Sequence, residues 1–236
     1  MMFREEKDVS DERREDFEAK GLVGGHPEIR AKTRRCVEVE HSSFWTPLES
    51  DSHATALRQF SAPGPLAVEI GFGRGLFLGR FAMQHCDWHC LGVEVKRKLV
   101  REALVRFDKW GVVNARLLLG DARALLPPFL EKGSIDALFI LFPDPWWKKK
   151  HHKRRLLDAV GLAPLVPLLK DNALVVVRSD VPVVLDLARI ALPAIGCELT
   201  DGPGLELPVT DRERVCDRIG IPSQELCYRF RASGGA

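Results

Sequence analysis

Residues 66–84 read LAVEIGFGRGLFLGRFAMQ, and this stretch decides the fold. Residues 66–70 fit a short, largely apolar strand, and 75–84 carry apolar side chains at helical spacing. Between them stand Gly71, Gly73 and Gly75. Without a Cβ, glycine lets the chain turn tightly and lets a ligand approach the backbone. The spacing is G-x-G-x-G. The dinucleotide fingerprint G-x-G-x-x-G would need glycine at position 76, where this chain has Leu76. A dinucleotide-dependent oxidoreductase is thereby disfavoured, although a tight structural turn would account for the glycines equally well.

Outward from this unit the alternation continues. Residues 89–95 (HCLGVEV) read as a strand and 96–110 as a helix with Val100, Leu104 and Phe107 on one face. ARLLLG at 115–120 reads as a third strand, followed by a short helix, and IDALFILF at 135–142 as a fourth. The pattern predicts a helix over 154–169, stopped near Lys170-Asp171-Asn172, then a strand over 173–179 and a helix over 181–192. Two further strands, near 197–201 and 225–231, are expected to form an antiparallel edge. Near-continuous apolar strands separated by helices imply a mostly parallel sheet covered on both faces. The expected class is therefore α/β, a doubly wound Rossmann-like fold with its ligand site at the carboxyl ends of the strands.

With 236 residues, 45% hydrophobic and 29% charged, the chain suits one soluble domain with a sizeable core. Residues 1–21 carry mixed charge without an apolar face and are expected to form a flexible arm. Residues 22–236 are expected to form a single domain, with 22–62 an irregular extension packed on the core and bearing Arg30, Lys32, Arg34 and Arg35. No apolar run approaches the ~20 residues needed to span a bilayer. The N-terminus has no apolar segment of a secretory signal, so the expected location is the cytoplasm. Six cysteines with no C-x-x-C pair read as free thiols, several of them buried. His85-Cys86-Asp87-Trp88-His89-Cys90 gathers four metal-ligand types, but neighbouring strand residues point to opposite faces, and no metal is expected.

Three acids fall at predicted strand ends. Glu69 closes the first strand, Glu94 the second, and Asp121 follows the third in GDAR. A carboxylate after the second strand suits the two ribose hydroxyls of a nucleoside. Asp121 suits a donor such as an adenine amino group. Behind a G-x-G-x-G loop, these acids form the arrangement of an S-adenosylmethionine-dependent methyltransferase.

The fourth strand runs into LFPDPWWKKKHHKRRL, residues 141–156. Pro143 and Pro145 stiffen the backbone around Asp144. Trp146 and Trp147 follow, and then Lys148 to Arg155 form an unbroken run of basic and imidazole side chains. Although the chain's net charge is only +2, basicity is concentrated here, as suits a local grip on a polyanion. Aromatics beside such a run suit an unstacked base next to a phosphate backbone.

EIGFGRGLFL, GVEV, GDAR, LFPDPWWKKKHHKRRL and the late P-x-T-x-x-E closely resemble the bacterial tRNA (guanine-N7)-methyltransferase family, from about residue 66 to 230. The resemblance implies a Rossmann-like methyltransferase fold and transfer of a methyl group from S-adenosylmethionine to N7 of guanosine 46 in the tRNA variable loop. By motif, Glu69, Glu94 and Asp121 match cofactor contacts together with the loop of Gly71, Gly73 and Gly75. Asp144 matches an acid of both the cofactor site and the catalytic centre. Lys148 and Asp180 match substrate contacts, as do Thr210, Asp211, Arg212 and Glu213. Lys150, His151, His152, Lys153, Arg154 and Arg155 match the RNA-interacting segment. Association into a homodimer stays open.

The chain departs from the family pattern at four positions. Trp147 stands where the family usually has proline, Lys150 where it has arginine, Val181 where tryptophan is common, and Arg212 where an aromatic is expected. Thr210-x-x-Glu213 fits a helix capping box as well as base recognition. Two alternatives follow. One is methylation of an exocyclic base amine, which a Pro-containing loop after the fourth strand also serves. The other is an RNA-binding protein that has kept the fold and lost the activity.

Overall fold

The computed structural model describes residues 64–145 and 156–232. Five parallel strands, β1 (Leu66–Ile70), β2 (His89–Glu94), β3 (Ala115–Leu119), β4 (Ile135–Leu141) and β5 (Leu169–Ser179), are joined by β6 (Cys197–Thr200) and β7 (Gln224–Phe230). The sheet order is β3-β2-β1-β4-β5-β7-β6, with β7 antiparallel to both of its neighbours. β1 pairs with β2 on one side and β4 on the other. The chain therefore builds outward from β1 in both directions, and the crevice at the β1/β4 carboxyl ends is the topological switch point where such sheets bind ligands.

The helices among the described residues are α1 (Leu76–Gln84), α2 (Arg97–Trp110), α3 (Ala122–Leu125), α4 (Ala159–Leu162), α5 (Pro182–Ala194) and α6 (Asp211–Ile219). Strand alternation divides the core in two. Val68, Leu91, Ile140, Val175 and Val177 meet Leu162 of α4 and Val184, Ala188 and Leu192 of α5 on one face. Ala67, Phe139 and Val176 meet Phe77 and Phe81 of α1 and Phe107 of α2 on the other. Phe139 takes Phe77 and Phe81 edge-on, with ring centroids 5.0 and 5.1 Å away. Each of the large side chains buried here contributes about 1.5–3 kcal/mol of transfer free energy. A Cβ on Gly92 of β2 would lie 2.6 Å from Phe72 and 2.7 Å from Leu78, so glycine is what lets the loop after β1 close over the sheet.

The C-terminal antiparallel edge appears as expected. The helix expected over 154–169 does not: α4 covers only four residues, and a 3-10 turn follows at Val166–Leu168. Pro164 and Pro167 explain this, because each lacks an N–H and crowds the turn before it. β5 also starts earlier than expected. Between the pairs Ile135↔Leu169 and Ala137↔Leu174, exposed Lys170, Asp171 and Asn172 bulge out, with Asn172 at φ 65°. Cys90, Cys197, Cys216 and Cys227 are buried free thiols, as expected of several of the cysteines.

The expected N-terminal arm and basic extension, residues 1–62, lie outside the described residues. So do Trp146, Trp147, Lys148, Lys150, His151, His152, Lys153, Arg154 and Arg155. No helix among the described residues is long and apolar enough to cross a membrane. None of their His, Cys, Asp and Glu side chains form a group of three or more able to hold a metal ion.

Candidate active site

The turn after β1 is built by hydrogen bonds from Gly71 N–H to Val93 O (2.7 Å) and from Gly75 N–H to Phe72 O (2.9 Å). Gly71 and Gly73 lie in the left-handed region at φ 75° and 58°, and a Cβ on either would meet nothing within 4 Å. Conformation, not crowding, demands glycine there, and the ground beside the backbone stays open. Gly75 serves differently. Its missing side chain makes room for Ala103 and Phe107 of α2, 2.9 and 3.0 Å from where a Cβ would stand.

Glu69, at the end of β1, is 3% exposed. Burial pushes its carboxyl up to about 8, and the nearby Glu94 pushes the same way. The Leu78 backbone N–H, in the first turn of α1, and the Arg178 charge pull it down, without reversing the shift. Oε2 of Glu69 is buried without a hydrogen-bond partner. A buried polar atom left unpaired is costly, so this oxygen marks a place where a polar group of a ligand would be welcome.

Around Glu69 opens a cavity of about 440 Å³. Its donor-side wall is the turn of Gly71, Phe72, Gly73 and Arg74 with Leu76 and Phe77 of α1. The facing residues come from three later segments: Phe142 to Pro145 after β4, Asp180 and Val181 after β5, and Thr210 to Arg212 at the start of α6. Asp144 is thus brought to the glycine turn from about 70 residues away in the chain. Glu94 and Asp121 sit at the neighbouring strand ends but do not line the cavity. Glu94 accepts from the backbone N–H groups of Gly73 (3.1 Å) and Lys96 (2.9 Å). Asp121 caps α3 and is gripped by both Nε and Nη2 of Arg123 at 2.9 and 2.6 Å, a pairing that holds its carboxyl below the usual range.

The approach to Asp144 is strained. Phe142 adopts φ 50° although it is neither glycine nor asparagine, and it directly precedes Pro143. Such a conformation costs about 1–3 kcal/mol and persists only when neighbours enforce it. Here the Phe142 N–H donates to Arg178 O at 2.7 Å.

Arg178 is the residue that the sequence reading missed. Its side chain is 8% exposed, yet Nε donates to Glu225 (2.6 Å), and Nη1 donates to Pro208 O (2.8 Å) and Glu213 (3.0 Å). The guanidinium also lies over the Phe77 ring, 5.6 Å from its centroid. One arginine therefore ties β5, β7, α1 and the entry to α6. The signal was present as a charge inside the apolar run ALVVVRS, since a buried charge must be paired.

Thr210 to Glu213 divide their tasks. Thr210 Oγ1 accepts from Glu213 N–H (3.1 Å), and Glu213 accepts from Thr210 N–H (2.7 Å), completing the capping box of α6. Thr210, Asp211 and Arg212 also line the cavity, whereas Glu213 turns to Arg178. Arg212 stands where an aromatic was expected and forms an ion pair with Asp180, whose side chain is 9% exposed. Burial alone would raise the Asp180 carboxyl, but the Arg212 hydrogen bond and charge outweigh it and hold the group low.

This cavity lies at the switch point of a seven-stranded sheet, behind a G-x-G-x-G turn and a buried acid. It defines the S-adenosylmethionine-dependent methyltransferase class. Solved structures agree at the level of fold. The aminoglycoside resistance methyltransferase NpmB1 superposes with a TM-score of 0.54 at 17% identity, over 76% of this chain and 92% of that one. A variant of the 16S rRNA (adenine(1408)-N(1))-methyltransferase from Catenulisporales acidiphilia, with cosubstrate SAM, gives 0.53 at 19% identity, over 80% and 94%. A family model described as "Putative methyltransferase" matches residues 63–198. Over 207 residues the chain is 32% identical to the tRNA (guanine-N(7)-)-methyltransferase of Rhodopirellula baltica, covering 80% of this chain and 75% of that protein. It is 36% identical over 174 residues to the protein of the same name from Synechococcus sp. (strain JA-3-3Ab), covering 70% and 71%. The chain belongs to the tRNA (guanine-N(7)-)-methyltransferase family.

Proposed function

We propose that this chain transfers a methyl group from S-adenosylmethionine to N7 of guanine 46 in the variable loop of tRNA. The observation that carries the reading is the cavity in which the glycine turn and Glu69 meet Asp144, Asp180 and the 210–212 segment. The residues fit the cofactor: Gly71 and Gly73 leave open ground, and Glu69 Oε2 is a buried carboxyl oxygen with no hydrogen-bond partner of its own. Glu69 and the glycine turn would hold it, with Glu94 and Asp121 supporting from the next strand ends. When bound, S-adenosylmethionine supplies an electrophilic methyl group on a positively charged sulfur.

Guanine N7 presents a lone pair and carries no proton at neutral pH, so no residue has to act as a base. The protein's work is in-line positioning and stabilisation of positive charge as it arrives on the purine. Asp144, held between two prolines, is the acid for that role. Asp180, kept ionised by Arg212, adds a second negative charge on the same wall. Thr210 to Arg212 complete the acceptor side. The basic residues Lys148 and Lys150 to Arg155 would hold tRNA phosphates. In this reading the reaction belongs to the cytoplasm and needs neither metal nor membrane, whether the chain acts alone or as a homodimer.

The test is methyl transfer from labelled S-adenosylmethionine to unmodified tRNA transcripts, followed by cleavage at N7-methylguanosine. A single cut in the variable loop is expected. Transfer without that cut would move the reaction to another atom, such as an exocyclic amine. Tight tRNA binding without transfer would make the chain an inactive binder.

A further inference from the structure

Four arginines from four different segments lie near one another: Arg74 in the glycine turn, which lines the cavity; Arg106 in α2, whose Nη1 donates to Arg74 O; Arg80 in α1, 4.0 Å from Asp211; and Arg214, three residues beyond Asp211 in α6. Arg80 is repelled by both Arg214 and Arg106, and Arg106 in turn by Arg74. Two carboxylates are shared among them. Glu102 lies 3.3 Å from Arg74 and also acts on Arg106, while Asp211 lies 4.0 Å from Arg80 and also acts on Arg106. Other donors are spent on backbone: Arg80 Nη1 donates to Val209 O at 3.0 Å, and Arg106 Nη1 to Arg74 O. Arg80 is only 18% exposed, whereas Arg74 is 64% exposed and Arg214 faces solvent. Burial and like-charge repulsion both make the protonated Arg80 harder to keep. Two carboxylates do not balance four guanidiniums, so like-charge repulsion remains among them. An anion bridging them would relieve that repulsion.

We propose that Arg74, Arg80, Arg106 and Arg214 form a second binding site for the RNA phosphodiester backbone. The inference rests on tRNA being the substrate. Its position is what makes it useful. Arg74 and Asp211 line the cavity itself, so the cluster borders the site where the base must enter. α1 and α2 cover the sheet face packed by Phe77, Phe81 and Phe107. The described residues that flank the long basic run, Pro145 and Leu156, instead lie with Val184 and Leu187 of α5, on the opposite face. The arginine cluster thus borders the carboxyl rim of the sheet on the α1 and α2 face, and a chain held there would be presented to the cavity. Guanidinium forks match phosphate oxygens better than ammonium groups do, which suits a site made of arginine alone.

The experiment compares wild-type protein with Arg214→Ala, Arg214→Glu and Arg214→Lys, measuring the affinity for an unmodified tRNA transcript across a salt series, S-adenosylmethionine affinity and Tm. Removing one phosphate-neutralising side chain should make the slope of log K against log salt shallower by about 0.9 and weaken binding about fivefold near 0.15 M salt. Arg214→Ala should show that change with S-adenosylmethionine affinity intact, and Arg214→Glu a larger one. Arg214→Lys should recover most of the binding. Because repulsion is removed, the Tm of Arg214→Ala should equal or exceed that of wild type; a residue that merely braced α6 would lower it. An unchanged salt slope in Arg214→Ala and Arg214→Glu, while wild type methylates tRNA, overturns the second grip alone. A wild-type protein that neither binds nor methylates tRNA overturns this site together with the proposed function.

Discussion

The two sides of the cavity are held by different physics. On the cofactor side, shape comes from backbone and burial: glycines in left-handed conformation and a carboxyl sealed at 3% exposure. On the acceptor side, shape comes from paired charges on segments far apart in sequence: Asp180 with Arg212, and Arg178 with Glu213 and Glu225. The first side keeps a fixed form for an invariant ligand. The second presents charge to a base that must be turned by its surroundings. In one chain, rigidity by packing and rigidity by ion pairs are divided between donor and acceptor.

The largest expected change in rate belongs to the acceptor side. Asp144→Asn should lower kcat by about 10²–10³, the scale of removing one preorganised electrostatic group, while leaving tRNA affinity nearly unchanged. Single-turnover methyl transfer checks it, and full activity would leave the acid without its role. Next is Arg178→Met, which leaves the partly buried Glu213 and Glu225 without their counter-charge, Glu213 keeping only the Thr210 N–H. It should cost about 3–5 kcal/mol in denaturant unfolding. Arg178→Lys should cost less, yet still lower methyl transfer, because an ammonium cannot hold Pro208 O, Glu213 and Glu225 in one plane.

The cofactor side should show itself in pH dependence. Glu69 carries a folded value of about 8 against an ordinary 4.5, so the folded state binds the proton more tightly than the unfolded chain. Stability should therefore be full below the lower value and fall as pH rises to the upper one, by at most about 1.4 kcal/mol per pH unit. Glu69→Gln removes this contribution, so the wild-type and variant stability curves should diverge over that window and run parallel outside it. Parallel curves throughout would mean that Glu69 is not held protonated.

The strands, the glycine turn and Glu69 were legible in sequence because they are local patterns, whereas Glu94 and Asp121 stand at their expected strand ends without lining the cavity. The capping box at Thr210 and Glu213 was readable for the same reason. The helix expected over 154–169 does not continue because Pro164 and Pro167 forbid it in spite of the apolar spacing. The acceptor side was harder. Asp180 meets Arg212 across 32 residues, and Arg178 meets Glu225 across 47. No spacing rule reveals such partners, although the charge inside ALVVVRS signalled that one must exist. The left-handed Phe142 had no sequence signal, because it is enforced by Arg178 O from the neighbouring strand.

If guanine N7 receives the methyl group, a tRNA transcript carrying 7-deazaguanine at position 46, in which N7 is replaced by carbon, cannot be methylated there. Binding equal to that of the unmodified transcript and no methyl transfer are expected. Undiminished transfer to the deaza substrate would contradict N7 as the acceptor.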